Sequence, residues 1–115
     1  MNDCVFCGIA SGKIPSQKVF EDADVVAFKD LSPQAPVHVL IVPKKHIQSV
    51  AQFQAEDKEL AAHIFVDVVP KLANELGIAE GGFRVVMNTG DDGGQTVPHL
   101  HVHLLGGRKM TCPPG

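Results

Sequence analysis

The chain has 115 residues, 44% of them apolar, enough for one compact core and too few for two ordinary domains. Its formal charge of −3 comes from interspersed acids and bases with no polybasic run, so neither nucleic acid nor a membrane surface is expected as a partner. Phe supplies all six aromatic residues, which argues against stacking a run of single-stranded bases and leaves one mononucleotide as the better-matched load.

Three cysteines, Cys4, Cys7 and Cys112, make an odd count, and neither a leader pattern nor a bilayer-length apolar stretch is visible. A reducing cytoplasm is therefore expected. Residues 1–15 read as an N-terminal segment carrying Cys4-x-x-Cys7, with one short helical turn before Ile14-Pro15. Val19-Phe20 and Val25 to Phe28 flank the turn Glu21-Asp22-Ala23-Asp24, the pattern of an antiparallel hairpin. Ser32-Pro33-Gln34-Ala35-Pro36 forces an irregular connection, since each proline restricts its predecessor and removes a donor. A third strand runs from Val37 to Val42, and alternation sets His38, Leu40 and Val42 on one inward face.

Leu60, Ile64, Val68, Leu72 and Leu76 recur every four residues and predict an amphipathic helix from about Glu56 to Leu76, closed by Gly77. Pro70 is expected to kink that helix or end it early. His63 is expected on its solvent face. A fourth strand follows over Phe83 to Asn88, then a glycine-rich turn over Thr89 to Gln95, then a fifth strand over Val97 to Leu105. Residues 106–115 read as an extended tail. Strands and helix are segregated, which predicts a single α+β domain with a mainly antiparallel five-stranded sheet and one long helix packed on it.

In the fifth strand, His99, His101 and His103 recur at period two and share one face, about 7 Å apart at Cα. Three imidazoles in an apolar strand would add burial cost and mutual repulsion for no structural gain, so chemistry or a metal is the better explanation. An unprotonated His101 nitrogen is suited to attack a phosphorus centre and split one displacement into two, provided its other ring N–H is held by an acceptor.

The stretch His99-Leu100-His101-Val102-His103-Leu104-Leu105 resembles the signature of histidine triad (HIT) proteins. Phe28 to Pro36, Val37 to His46, Gly106-Gly107-Arg108 and Pro113-Pro114-Gly115 resemble the nucleotide-binding Hint branch of that family. The resemblance implies a homodimeric HIT fold and a purine nucleoside phosphoramidase acting on AMP- or GMP-linked amines. His101 would be the nucleophile, His103 the contact to nonbridging phosphate oxygens, and Thr96, five positions earlier, the hydroxyl that helps the amine leave. His99 completes the triad, and His38 matches a further buried histidine of the family. Asp30, with Leu31 beside it, would bind the ribose, Asn88 the phosphate side, and Gly94, Gln95 and Thr96 the phosphate-contacting turn. Locally, Asp30 ahead of Ser32-Pro33 also suits a turn, and Asn88 a strand end. Cys112 stands where relatives often carry tryptophan.

Cys4-x-x-Cys7 has the spacing of half a zinc site, and in a reducing compartment metal binding is favoured over a disulfide. His46 and His99 are the candidates to complete a Cys₂His₂ set. The pattern is similar to the zinc sites of galactose-1-phosphate uridylyltransferases and of bacterial HIT proteins with CxxC. Such an ion would be structural, tying the N-terminus to the third strand and the histidine strand. Alternatives to the phosphoramidase reading are a Fhit-type dinucleoside polyphosphate hydrolase and a non-catalytic nucleotide- or zinc-binding interaction module.

Overall fold

The strands form where β-branched and aromatic residues cluster, and each is resolved into two faces by period-two alternation. A computed structural model describes residues 4–111 and contains β1 (Lys18–Glu21), β2 (Val25–Lys29), β3 (Val37–Pro43), β4 (Phe83–Val86) and β5 (Val102–Gly106). They make one antiparallel sheet in the order β1-β2-β3-β5-β4. The β1–β2 turn is closed by Asp22, whose Oδ1 accepts the N–H groups of Asp24 and Val25 at 2.9 and 2.8 Å. In the centre, β3 opposes β5 with Leu40 facing His103 and Ile41 facing Val102.

One sheet face, with Val25, Ala27, Val39, Ile41, Val102 and Leu104, packs against the long helix through Ile64, Val68, Leu72 and Ala73. The other carries Val26, Phe28, Leu40 and Val42 and is covered by the short helix Val5–Ala10 through Phe6 and Ile9. Burial on both faces explains why β2 and β3 read as near-continuous apolar runs.

The long helix occupies residues 55–75. Its first turn is fixed by Asp57, 3% exposed, whose carboxylate accepts the Gln54 N–H at 2.8 Å and the Lys45 ammonium at 2.6 Å. Pro70 does not end it early. Instead, His63–Val68 widen into a π-helical turn, and Pro70 falls in the first turn of the following α-segment, Val69–Glu75. The wider turn accommodates the missing donor and the ring's clash with the preceding carbonyl. Gly77, at φ +76, then permits a left-handed stop in which Ile78 N–H reaches the Ala73 carbonyl at 2.9 Å.

Three boundaries differ from expectation. β4 ends at Val86, so Asn88 lies beyond it; β5 starts at Val102 rather than Val97; and Gly106 belongs to β5 instead of the tail. His63 is not a free solvent-facing residue: its Nε2 lies 2.7 Å from Asp22 and its Nδ1 2.9 Å from Asp67. The clip joins the π-turn to the β1–β2 turn. Cys112 and Pro113-Pro114-Gly115 lie outside the described residues. Among the described residues, no helix is long and apolar enough to cross a membrane.

Candidate active site and metal cluster

The late start of β5 follows from where its first acceptors and donors are spent. Pro98 has no N–H to give, His99 N–H turns back onto the Val97 carbonyl at 2.8 Å, and Leu100 N–H crosses to the Ile47 carbonyl at 2.6 Å. The His99 carbonyl is taken by an imidazole: His101 Nδ1 lies 2.7 Å from it. His101 and His103 nevertheless remain on one face, with ring centroids 5.1 Å apart, while Leu100, Val102 and Leu104 pack into the helix-side core. The Phe6 ring stands edge-on to both His101 and His99.

These partners dictate the tautomers. A carbonyl accepts only, so His101 carries its proton on Nδ1 and leaves Nε2 as a bare lone pair. His38 Nδ1 accepts the backbone N–H of Gln34 at 3.0 Å, which places the His38 proton on Nε2. That Nε2–H donates to His103 Nδ1 at 2.9 Å, with Asp30 Oδ2 at 3.4 Å beside it. His103 therefore bears its own proton on Nε2. Burial holds His38 below the ordinary histidine value against the pull of Asp30. Burial, helped by the neighbouring His101 and His38, lowers His103 to about 4. At neutral pH both are uncharged.

His101 and His103 line a cavity of about 660 Å³, within the size range of small-molecule sites. Asp30, Leu31 and Thr96 of the expected set line it as well, Leu31 standing almost fully exposed at the rim. Asp30 also serves its turn, Oδ1 accepting Ser32 N–H at 2.7 Å. His38 lies behind His103, whereas Asn88, Gly94 and Gln95 are not lining residues. The N–H groups of Gly94 and Gln95 close a turn onto the carbonyls of Asp91 and Gly90, each at 3.0 Å. The Gln95 side chain ties that turn down, its amide donating to the carbonyls of Gln48 and Val97 at 2.7 and 3.0 Å.

Sequence reasoning missed the apolar wall, formed by Phe6, Ile9, Ile14, Phe28, Leu40 and Val97. Phe6 and Ile9 are three apart on the N-terminal helix, so an i,i+3 apolar pair was the available signal. Ser16 was missed too: its Oγ is buried at the cavity with no hydrogen-bond partner among the described residues.

A second cluster adjoins the first. Cys4 Sγ lies 3.2 Å and Cys7 Sγ 3.4 Å from His99 Nδ1, and Cys7 Sγ lies 3.1 Å from His46 Nδ1. One ligand atom from each of the four residues falls within 4.8 Å of the others, close enough to bind a metal ion. The His99 Nε2–H donates to the Pro43 carbonyl at 2.8 Å, which turns the Nδ1 lone pair toward the thiols, as outer partners of metal-binding histidines do. Two sulfurs and two imidazole nitrogens are the donor types of a tetrahedral metal set, and the three sulfur–nitrogen separations above are slightly under the roughly 3.5 Å such a set requires. Without an ion, burial and the adjacent Cys4 push the Cys7 thiol up to about 11.

A family model for the HIT domain matches residues 11–110. The chain belongs to the HIT family. A HIT-like protein of Synechococcus elongatus is 47% identical over 113 residues, covering 98% of this chain and 97% of its own length. Protein HitA of Neisseria gonorrhoeae is 43% identical, covering 92% and 97%. Among solved structures, a HIT family hydrolase from Legionella pneumophila Philadelphia 1 superposes with a TM-score of 0.95 at 51% identity, covering 98% of this chain and all of that one. A histidine triad protein from Clostridium difficile gives 0.92 at 50% identity, covering 96% of each chain. In this HIT domain, the sheet and both helices therefore adopt the arrangement of those relatives.

Proposed function

We propose that this HIT domain is a hydrolase that cleaves the phosphorus–nitrogen bond of purine nucleoside 5′-phosphoramidates through a nucleotidyl-histidine intermediate on His101. The observation that carries the reading is the 2.7 Å bond from His101 Nδ1–H to the His99 carbonyl, which frees Nε2 beside a nucleotide-sized cavity. The apolar wall suits a purine, the Asp30 carboxylate is placed to accept from ribose hydroxyls, and the exposed Leu31 stands at the rim.

His101 Nε2 attacks the α-phosphorus, forming a phosphorus–nitrogen bond as the bond to the amine breaks. The positive charge that develops on the ring strengthens the Nδ1–H bond to the His99 carbonyl. His103 Nε2–H donates to a nonbridging oxygen as negative charge concentrates there, and the Thr96 hydroxyl hydrogen-bonds the departing amine. The departing nitrogen takes a proton from solvent to leave as the amine; water then attacks the phosphorus as the bond to Nε2 breaks, returning a proton to solvent, releasing the nucleoside monophosphate and restoring neutral His101. Because the N–H groups of Gly94 and Gln95 close their own turn, Thr96 is the residue of that stretch proposed to act on substrate.

Cys4, Cys7, His46 and His99 are proposed to hold zinc, the ion that mixed sulfur and nitrogen tetrahedra favour. With four protein ligands the ion is structural and offers no position to substrate. A reducing compartment, the cytoplasm, suits these thiols. A homodimer is proposed through the β4 edge and the long helix, where Phe83, Val85, Phe65 and Val66 are exposed. Mass measurement by light scattering checks it, a monomer at micromolar concentration overturning that element.

The test of function incubates wild type, His101→Ala and His101→Asn with an adenosine phosphoramidate and with a dinucleoside polyphosphate. Wild type is expected to prefer the phosphoramidate and to yield a trapped adenylyl-protein adduct. Both variants are expected to lose about 10³-fold or more in kcat/KM. Undiminished turnover in the variants, or none in wild type, overturns the reading.

A further inference from the structure

After β5 the chain runs against the loop that follows β2, and this contact reaches the candidate site. Gly107, at φ +93, lies so close to the loop that a Cβ there would sit 2.9 Å from Pro36 Cβ. Arg108 then turns its guanidinium to the loop: Nε and Nη2 both donate to the Gln34 carbonyl oxygen, at 3.1 and 2.9 Å, while Nη1 donates to the Lys109 carbonyl at 3.1 Å. Gln34 is thus held by its carbonyl, while its N–H points at His38 Nδ1, 3.0 Å away. His38 Nε2 in turn meets His103 Nδ1 at 2.9 Å. Four consecutive hydrogen-bonding groups lead from an exposed arginine to an imidazole lining the cavity.

The chain has a direction. While a backbone donor faces His38 Nδ1, His38 donates from Nε2, and His103 is left with a proton on its cavity-side Nε2. If that donor drifts, His38 can protonate Nδ1 and accept at Nε2. His103 would then donate from Nδ1 and turn a bare Nε2 lone pair toward the cavity, which repels a phosphate oxygen instead of binding it. Asp30 Oδ2, 3.4 Å from His38 Nε2, favours the first arrangement but leaves the Nδ1 side unguarded.

We propose that Arg108 is a positioning residue: its paired hydrogen bonds to Gln34 hold the loop donor that sets the tautomers of His38 and His103. Arg108 therefore determines whether His103 offers a proton to the substrate phosphate. The inference rests on the phosphoramidase reading for the substrate, and on this structure alone for the tautomers.

The experiment records long-range proton–nitrogen spectra of the imidazoles in the ¹⁵N-labelled full chain. In wild type, His38 and His103 are expected as Nε2–H tautomers. Arg108→Met is expected to convert both to mixtures and Arg108→Lys, with one ammonium for the same carbonyl, to restore them in part. Arg84→Met, which releases only the Thr111 carbonyl held at 3.1 Å, is expected to match wild type. With an adenosine phosphoramidate, Arg108→Met is expected to lower kcat about tenfold while KM changes less than about threefold. Wild-type tautomers in Arg108→Met, or a raised KM with kcat intact, overturn the proposal. Should Arg108→Met fail to fold, Arg108→Lys decides: intermediate tautomer populations support the inference, and wild-type populations refute it. If wild type does not turn over the phosphoramidate, the functional reading fails while the tautomer measurement still judges Arg108.

Discussion

His63 and the triad histidines are the same side chain in opposite electrostatic settings. His63 has a carboxylate at each ring nitrogen, Asp67 at Nδ1 and Asp22 at Nε2, so both nitrogens are donors and its value is raised. In the triad, each ring has one nitrogen committed to a neutral partner while the other is left for another task. His99 gives Nε2–H to Pro43 and turns Nδ1 to the thiols; His101 gives Nδ1–H to His99 and keeps Nε2 bare; His103 receives His38 at Nδ1. Partner type therefore decides the protonation pattern: two carboxylates make a cationic clip, while one carbonyl leaves the opposite nitrogen bare, as the roles proposed for His99 as a ligand and His101 as a nucleophile require.

The largest effect within this contrast is expected at the His99 end. Cys4 and Cys7 belong to the same short segment as Phe6 and Ile9, so an ion held there braces the cavity wall as well as His99. Chelation, or Cys4→Ser, is expected to remove about 4 kcal/mol of stability where free zinc stands at roughly a thousand times its dissociation constant. Calorimetry with and without chelator reads this, beside metal analysis of the purified protein. Adenosine monophosphate should bind the stripped protein more weakly. A melting temperature indifferent to chelator would break the link between metal and wall.

Much of this arrangement is legible from local pattern. Period two sets His38, Leu40 and Val42 on one face, and the CxxC spacing with His46 and His99 picks out the four residues that the fold brings together. What escapes the sequence depends on contacts distant along the chain. The β5 start at Val102 reflects hydrogen bonds to Val97 and Ile47 and an imidazole on the His99 carbonyl, none of which alternation encodes. The π-turn before Pro70 trades one helical register for another, a choice that packing on the sheet makes. The Asp22 partner of His63 is 41 residues away, so the helix pattern alone leaves His63 facing solvent.

A smaller effect sharpens the contrast from the other side. The hydrogen bonds His63 donates to Asp67 and then to Asp22 raise it above its ordinary 6.5, so the stability it contributes is full below that value and is lost as pH rises through the folded-state value. Asp22 is pushed up by burial, but the hydrogen bonds from His63 and from the Asp24 and Val25 N–H groups outweigh this and hold it below 3.8. Its contribution is present above 3.8 and is lost as pH falls through the lower folded-state value. The clip is thus at full strength between about pH 4 and 6.5. Asp22→Asn keeps the Oδ1 acceptor for the turn while removing the charge. The variant is expected to lose about 0.5–1 kcal/mol at pH 5.5, a difference that shrinks toward pH 9, as read by urea unfolding across the range. A difference independent of pH would mean that His63 is not the cation, and that two carboxylates do not separate it from the neutral triad.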